Sequence, residues 1–154
     1  MNTDEKWMAI ALEEASIAAG ELEVPVGAVI VRDGEILARC HNLCLQNQAA
    51  TAHAELLAIE QACKKAGSWR LSDCTLYVTL EPCPMCAGAI VNARIPRVVF
   101  AAKDPRMGAC GSLLDLSAYP LECRPRFEAG MMEEASLSLL RDFFSQMRKK
   151  RKNN

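Results

Sequence analysis

The sequence predicts a three-layer α/β/α fold around a mixed central sheet of about five strands. Three observations predict it: short runs of strand-type apolar residues, helical apolar spacing between them, and one strand-helix-strand stretch connected closely enough to require parallel pairing through a crossover. Trp7, Ala11, Ala15 and Ala18 recur at helical spacing before Gly20, which places a first helix from about Asp4 to Ala19. Val26 to Val31 and Glu35 to His41 flank Asp33-Gly34, a strong two-residue hairpin signal. Thr51, a good N-cap, precedes Leu56, Leu57, Ile59, Ala62, Cys63 and Ala66, and the helix they outline starts near His53 and stops at Gly67. Thr75 to Leu80 alternates as a strand. Pro84 suits the first position of the next helix, which is apolar from Ala87 to Ala93, and Arg97 to Ala102 is the strand that follows. Asp104 to Gly111 is a loop at the carboxyl end of that strand, where open α/β sheets place their ligands. A short strand near Arg126 to Ala129 and a helix from about Met132 to Met147 complete the order, ahead of a basic tail expected to fray from about residue 148.

With 154 residues, 51% of them hydrophobic, the chain is long enough for one well-buried domain spanning 1–154 and short for two. Its opening residues are acidic and polar, and no apolar stretch approaches the roughly 20 residues that span a bilayer. A cytoplasmic protein without a membrane partner is the expectation. Eight cysteines could form a disulfide scaffold in a small secreted protein, but no export signal precedes them. Cys40, Cys44, Cys63, Cys74, Cys110 and Cys123 read as small buried apolar residues, with Cys40 and Cys44 a stray second thiol pair as the alternative. The net charge is −1, yet residues 1–60 hold ten acids and three bases while 61–154 hold nine acids and fifteen bases. The run Arg148-Lys149-Lys150-Arg151-Lys152 is either a solvated tail or a phosphate-binding one, and in the second case its affinity falls steeply with salt.

The chemistry concentrates in His53-Ala54-Glu55 and Pro82-Cys83-Pro84-Met85-Cys86. His53, Cys83 and Cys86 are three soft ligands for one zinc ion per chain, and three ligands with an open fourth corner mark a hydrolytic site rather than a structural one. Residues two apart do not share a helix face, so His53 and Glu55 serve one site only from the first turn; Cys83 and Cys86, three apart, do share one. A helix N-terminus favours the thiolate that binds metal. Glu55 is then free to take a proton from water and deliver it to a ring nitrogen and departing ammonia. Taken singly, the cysteine pair also reads as a thiol-redox motif and His53 as a core histidine; a zinc module that binds nucleic acid without catalysis, closed by Cys44 or by a residue of a partner, is a further alternative.

Beyond these motifs, Glu23-Val24-Pro25-Val26-Gly27-Ala28-Val29, His41-Asn42, Thr51-Ala52-His53-Ala54-Glu55, Thr75 to Cys83, Met85 to Ala89, Arg97-Val98-Val99-Phe100, Gly111-Ser112-Leu113 and Asp142-Phe143-Phe144 resemble segments of the bacterial tRNA adenosine deaminases, in the cytidine deaminase-like superfamily. The similarity runs from about Trp7 to Arg148. It implies a homodimer that converts the wobble adenosine of an arginine tRNA anticodon stem-loop to inosine. It further implies zinc on His53, Cys83 and Cys86, proton transfer by Glu55, and the backbone N–H groups of Ala54 and Cys83 facing the attacking oxygen. Asn42 would hydrogen-bond the flipped nucleoside, which lies against Ala54, and Val26 would line the base pocket. Asp104, Phe143, Phe144 and Arg148 would lie along the anticodon-loop groove. Without the resemblance Asn42 is a turn residue, Val26 a core residue and the two phenylalanines helix anchors. The chain departs from the family pattern at Ala49-Ala50, where many relatives have Asp-Pro, and at Pro105-Arg106-Met107. Relatives of the same fold act on free cytosine, guanine or nucleotides, which keeps a free-base deaminase open.

Overall fold

The computed structural model describes residues 2–153. Its elements are α1 (Thr3–Gly20), β1 (Gly27–Arg32), β2 (Glu35–His41), α2 (Cys44–Asn47), α3 (Ala54–Ala66), β3 (Thr75–Leu80), α4 (Pro84–Asn92), β4 (Arg97–Ala102), a 3-10 turn at Leu116–Ala118, β5 (Arg126–Ala129) and α5 (Glu133–Asn153). The five strands form one sheet in the order β2-β1-β3-β4-β5. β1 pairs antiparallel with both β2 and β3, whereas β3, β4 and β5 run parallel, so the sheet is mixed as expected.

Strand residues alternate between two buried faces. Ala28, Ile30, Leu76, Val78, Val98 and Phe100 turn towards α3 and α4, where Ala54, Ala58, Ala62, Ala87 and Ile90 meet them. Val29, Val31, Tyr77, Val99 and Ala101 turn the other way onto Trp7, Met8 and Ala11 of α1. Small alanines on α3 let that helix lie close to the sheet, which fixes where its first turn ends up. On the α1 face, Arg97 bonds Asp4 at 2.7 Å and Glu128 at 2.6 Å, joining the start of α1 to the parallel strands.

The outer edge of β2 is not left bare. Gln61 of α3 accepts the Arg39 N–H at 3.1 Å, and the Lys65 ammonium donates to the Ile36 carbonyl at 3.1 Å. At the far end of β2, His41 lies between Glu14 and Glu21 of the α1 region, with Arg39 also on Glu14 at 2.6 Å.

Three local expectations differ from the structure. Thr51 is not the N-cap of α3; His53 holds that position with extended dihedrals, and the helix starts at Ala54. The reason is a competing acceptor: Asn42 takes the Ala54 N–H, so the first turn is capped from across the fold. The short α2, absent from the periodicity, is held by the Glu23 carboxylate, which accepts from Leu45 and Gln46 at 2.9 and 2.8 Å. The basic tail does not fray at 148: α5 continues to Asn153. Lysine and arginine are good helix formers and suit a helix C-terminus, and no glycine or proline interrupts the run.

Candidate metal centre and its pocket

α3 and α4 aim their N-termini at one point. His53 is the N-cap of α3 and Cys83 the N-cap of α4, with Pro84 opening that helix and Cys86 one turn in. His53 Nδ1 lies 3.6 Å from Cys83 Sγ and 3.4 Å from Cys86 Sγ. All three ligand atoms fall within 4.8 Å of one another. Tetrahedral zinc with Zn–S of about 2.3 Å and Zn–N of about 2.0–2.1 Å separates nitrogen and sulfur by roughly 3.5 Å, so this donor set fits that ion. Cys44 lies in the pocket wall but outside the group, which among the described residues has three members; that removes Cys44 as a fourth ligand.

The electrostatics favour a thiolate on Cys83. The Cys86 thiol donates to Cys83 and, against the effect of burial, brings Cys83 down to about 4, helped by His53. Cys86 is correspondingly raised by Cys83 and by its burial, and His53 is raised by its bond to Cys83. All eight cysteines are free.

Glu55 is 4% exposed beside this cluster. Burial pushes its carboxyl up to about 7, while its own backbone N–H and His53 pull the other way. It shares a cavity of about 220 Å³ with Val26, Asn42, His53, Cys83 and Asp104. That is below the roughly 300 Å³ of common ligand pockets, so it takes a single ring system and leaves a larger substrate outside.

Asn42 does more than a turn residue would. Its Oδ1 accepts the Ala54 N–H at 2.7 Å. A buried N–H demands an acceptor, so the amide is oriented with oxygen towards Ala54 and its NH₂ group towards the cavity. The same bond engages the Ala54 N–H, the group expected to face an attacking oxygen. Val26, 5% exposed, belongs both to the core and to the cavity wall, so the two readings of it coincide.

A second groove of about 520 Å³ adjoins the cavity, sharing Val24, Leu80, Asp104 and Met107 with it and opening onto Phe144. The paired phenylalanines divide their work. Phe143 is 8% exposed and anchors α5, whereas Phe144 is 45% exposed, its ring edge-on at 5.3 Å. Further along, Arg148 lines a depression with Arg106, Arg141 and Phe144. Asp104 Oδ1 is occupied by the N–H groups of Arg106 and Met107.

Two residues with no assigned role emerge here. Glu23 lines the cavity and holds α2, and Glu81 gathers the loop after β4. Burial raises the Glu81 carboxyl, but the Ser112 hydroxyl and the N–H groups of Asp104, Cys110 and Ser112 outweigh it, leaving the group below the usual carboxylate range. The only signal in the sequence was a charged residue ending an apolar strand directly before Pro82-Cys83.

The family model for MafB19-like deaminases matches residues 2–148. A tRNA-specific adenosine deaminase of Bacillus subtilis is 48% identical over 153 residues, covering 99% of this chain and 95% of that protein. A solved tRNA:A34 deaminase, from work on A-to-I editing at the wobble position of transfer RNA, superposes with a TM-score of 0.85 at 43% identity, covering 88% of this chain and 99% of the other. A guanine deaminase of Bacillus subtilis superposes at 0.65 with 36% identity, covering 92% and 95%. With the family pattern spanning nearly every residue and the His53, Cys83, Cys86 and Glu55 constellation gathered around one cavity, this chain belongs to the MafB19-like deaminase family.

Proposed function

We propose that this protein hydrolyses the 6-amino group of the wobble adenosine in a tRNA anticodon loop, giving inosine and ammonia. The observation that carries the proposal is the buried Glu55 carboxyl in the same small cavity as His53 and Cys83, which with Cys86 converge from two helix starts. His53, Cys83 and Cys86 would hold one zinc ion. When bound, zinc supplies Lewis-acid activation of water, bringing its pKa to about 7.

The chain's own residues do the rest. Glu55 takes one proton of the attacking water and passes it to the purine ring nitrogen beside the reacting carbon, then takes the second proton from the hydroxyl now on that carbon and delivers it to the departing amino group. Its seclusion keeps that proton from bulk solvent. Asn42 presents its NH₂ group to an acceptor on the base, and Val26 packs against the ring. The cavity holds the base alone, so the nucleotide must be splayed out of its strand, which an anticodon loop permits at low cost. Asp104, Phe144 and Arg148 then line the path of the flanking nucleotides, and the basic end of α5 meets phosphates. We read the chain as one domain acting in the cytoplasm as a homodimer; among the described residues no helix is long and apolar enough to cross a membrane.

The similarity to a guanine deaminase favours one second reading, deamination of a free base. Zinc-loaded protein incubated with an unmodified anticodon stem-loop and, separately, with adenosine, cytidine, cytosine and guanine distinguishes them. Inosine in the stem-loop alone is expected. Product from a free base alone would replace the proposal, and no product from any substrate would return the chain to a non-catalytic zinc module.

A further inference from the structure

The loop after β4 leaves the sheet with its N–H groups turned inward, where no strand remains to receive them. Glu81, 2% exposed at the end of β3, takes their place. Its Oε1 accepts the Asp104 N–H at 3.0 Å and the Ser112 hydroxyl at 2.5 Å; its Oε2 accepts the N–H groups of Cys110 and Ser112 at 2.9 and 3.1 Å. Gly108 is pressed so close that a Cβ there would collide with the carboxylate. Beside this contact the Ala109 N–H donates to the Pro82 carbonyl at 2.9 Å. One carboxylate thus ties a nine-residue arc, 104–112, to the backbone that leads directly into Cys83. That arc supplies Asp104 and Met107 to the cavity and Arg106 to the adjoining grooves.

We propose that Glu81 is a positioning residue for the deamination: by gathering four donors from the 104–112 arc it holds the substrate-facing wall in register with the metal turn, both its carboxylate oxygens committed to those donors although the residue itself borders the cavity. The inference rests on the deaminase reading above. The four bonds fill the acceptor sites of the carboxylate, and all four come from the arc that forms the wall. A neutral acceptor cannot reproduce them. In Glu81→Gln the amide oxygen serves one donor pair and the NH₂ group faces the other. The less costly orientation puts the nitrogen near Ser112, whose hydroxyl turns to accept, and leaves the Asp104 N–H without a partner. The substitution therefore releases the arc at the residue that lines the cavity.

The test compares wild type, Glu81→Gln and Ser112→Ala, the last a milder change that removes one of the four donors. Each is loaded with zinc, and three quantities are read: metal per chain, amide hydrogen exchange across 103–112, and KM and kcat on an unmodified anticodon stem-loop. Expected are unchanged metal content, faster exchange at Asp104 in Glu81→Gln, and KM raised about tenfold with kcat within about twofold, the loss of one buried hydrogen bond to a charged acceptor. Ser112→Ala should raise KM about threefold, and it carries the test alone if Glu81→Gln does not fold. Unchanged exchange across 103–112 in the variants overturns the proposal whether or not the RNA is turned over. A defect confined to kcat or to metal content also overturns it. A wild type inactive on the stem-loop counts against the deaminase reading instead, and the exchange measurement still judges the anchor.

Discussion

Replacing Asn42 by Asp and by Ala separates two jobs of one side chain. Its oxygen holds the buried Ala54 N–H at 2.7 Å, and its NH₂ group faces the cavity. Asn42→Asp keeps the first bond and abolishes the second. The lost donor is worth about 1 kcal/mol, and an acceptor facing an acceptor on the base adds about 1–3 kcal/mol. The sum of about 2–4 kcal/mol corresponds to a fall in kcat/KM of about 10²-fold. Asn42→Ala loses both bonds and orphans the Ala54 N–H, so it should lose similar activity and also about 1–3 kcal/mol of stability. For a chain of this length that lowers Tm by roughly 2–4 °C per kcal/mol. The assay is stem-loop deamination beside thermal unfolding of each zinc-loaded variant. Asn42→Asp retaining wild-type kcat/KM would refute the outward orientation of the NH₂ group. Asn42→Ala as stable as wild type would refute the importance of the Ala54 bond.

Glu55→Gln should keep about one zinc per chain and lose roughly 10²- to 10⁴-fold in turnover, since the residue moves protons and is not a ligand; elemental analysis and a rate measurement check both. His41 should make stability depend on pH. Both ring nitrogens face carboxylates, Glu14 at 2.8 Å and Glu21 at 2.7 Å, and these bonds, against the opposing effect of burial, raise its pKa. A raised pKa means that the stabilisation is complete below about pH 6.5 and is lost as pH climbs through the folded value. Glu14, lowered by Arg39 and His41 despite its burial, contributes in the opposite sense and loses its share in acid. Denaturant midpoints should therefore fall between about pH 6 and 9 in wild type and fall less in His41→Gln; equal slopes would show that the histidine is not the titrating group. Removing residues 148–154 should weaken stem-loop binding and flatten its dependence on salt while leaving zinc content intact, which a titration at two ionic strengths reads directly.

The His53, Cys83 and Cys86 cluster and the neighbouring Glu55 were legible because His53 and Glu55, like Cys83 and Cys86, lie within a few residues of each other at a helix start, so local spacing carries the information. The strands were legible for the same reason: continuous apolar runs at 28–31 and 98–102, and the strand-type pattern at 75–80, report a sheet buried on both faces. What the sequence hid was long-range and polar. Nothing near Thr51 shows that Asn42, from the end of β2, caps α3 and displaces the helix start to Ala54. Nothing near Glu81 shows that its acceptors will be used by residues 23 to 31 positions later. A carboxylate that serves backbone N–H groups obeys no periodicity, so it becomes visible only when the chain is folded. Phe143 and Phe144 are adjacent and identical, and only the rotation of α5 decides which is buried.

The side chains of Gln61 and Lys65 that cover the outer rim of β2 limit how this protein can assemble. A strand offered by a neighbour would find the Arg39 N–H and the Ile36 carbonyl already engaged, which opposes continuation of the sheet from one copy into the next along that side. Fibre growth by strand addition is therefore opposed at this rim.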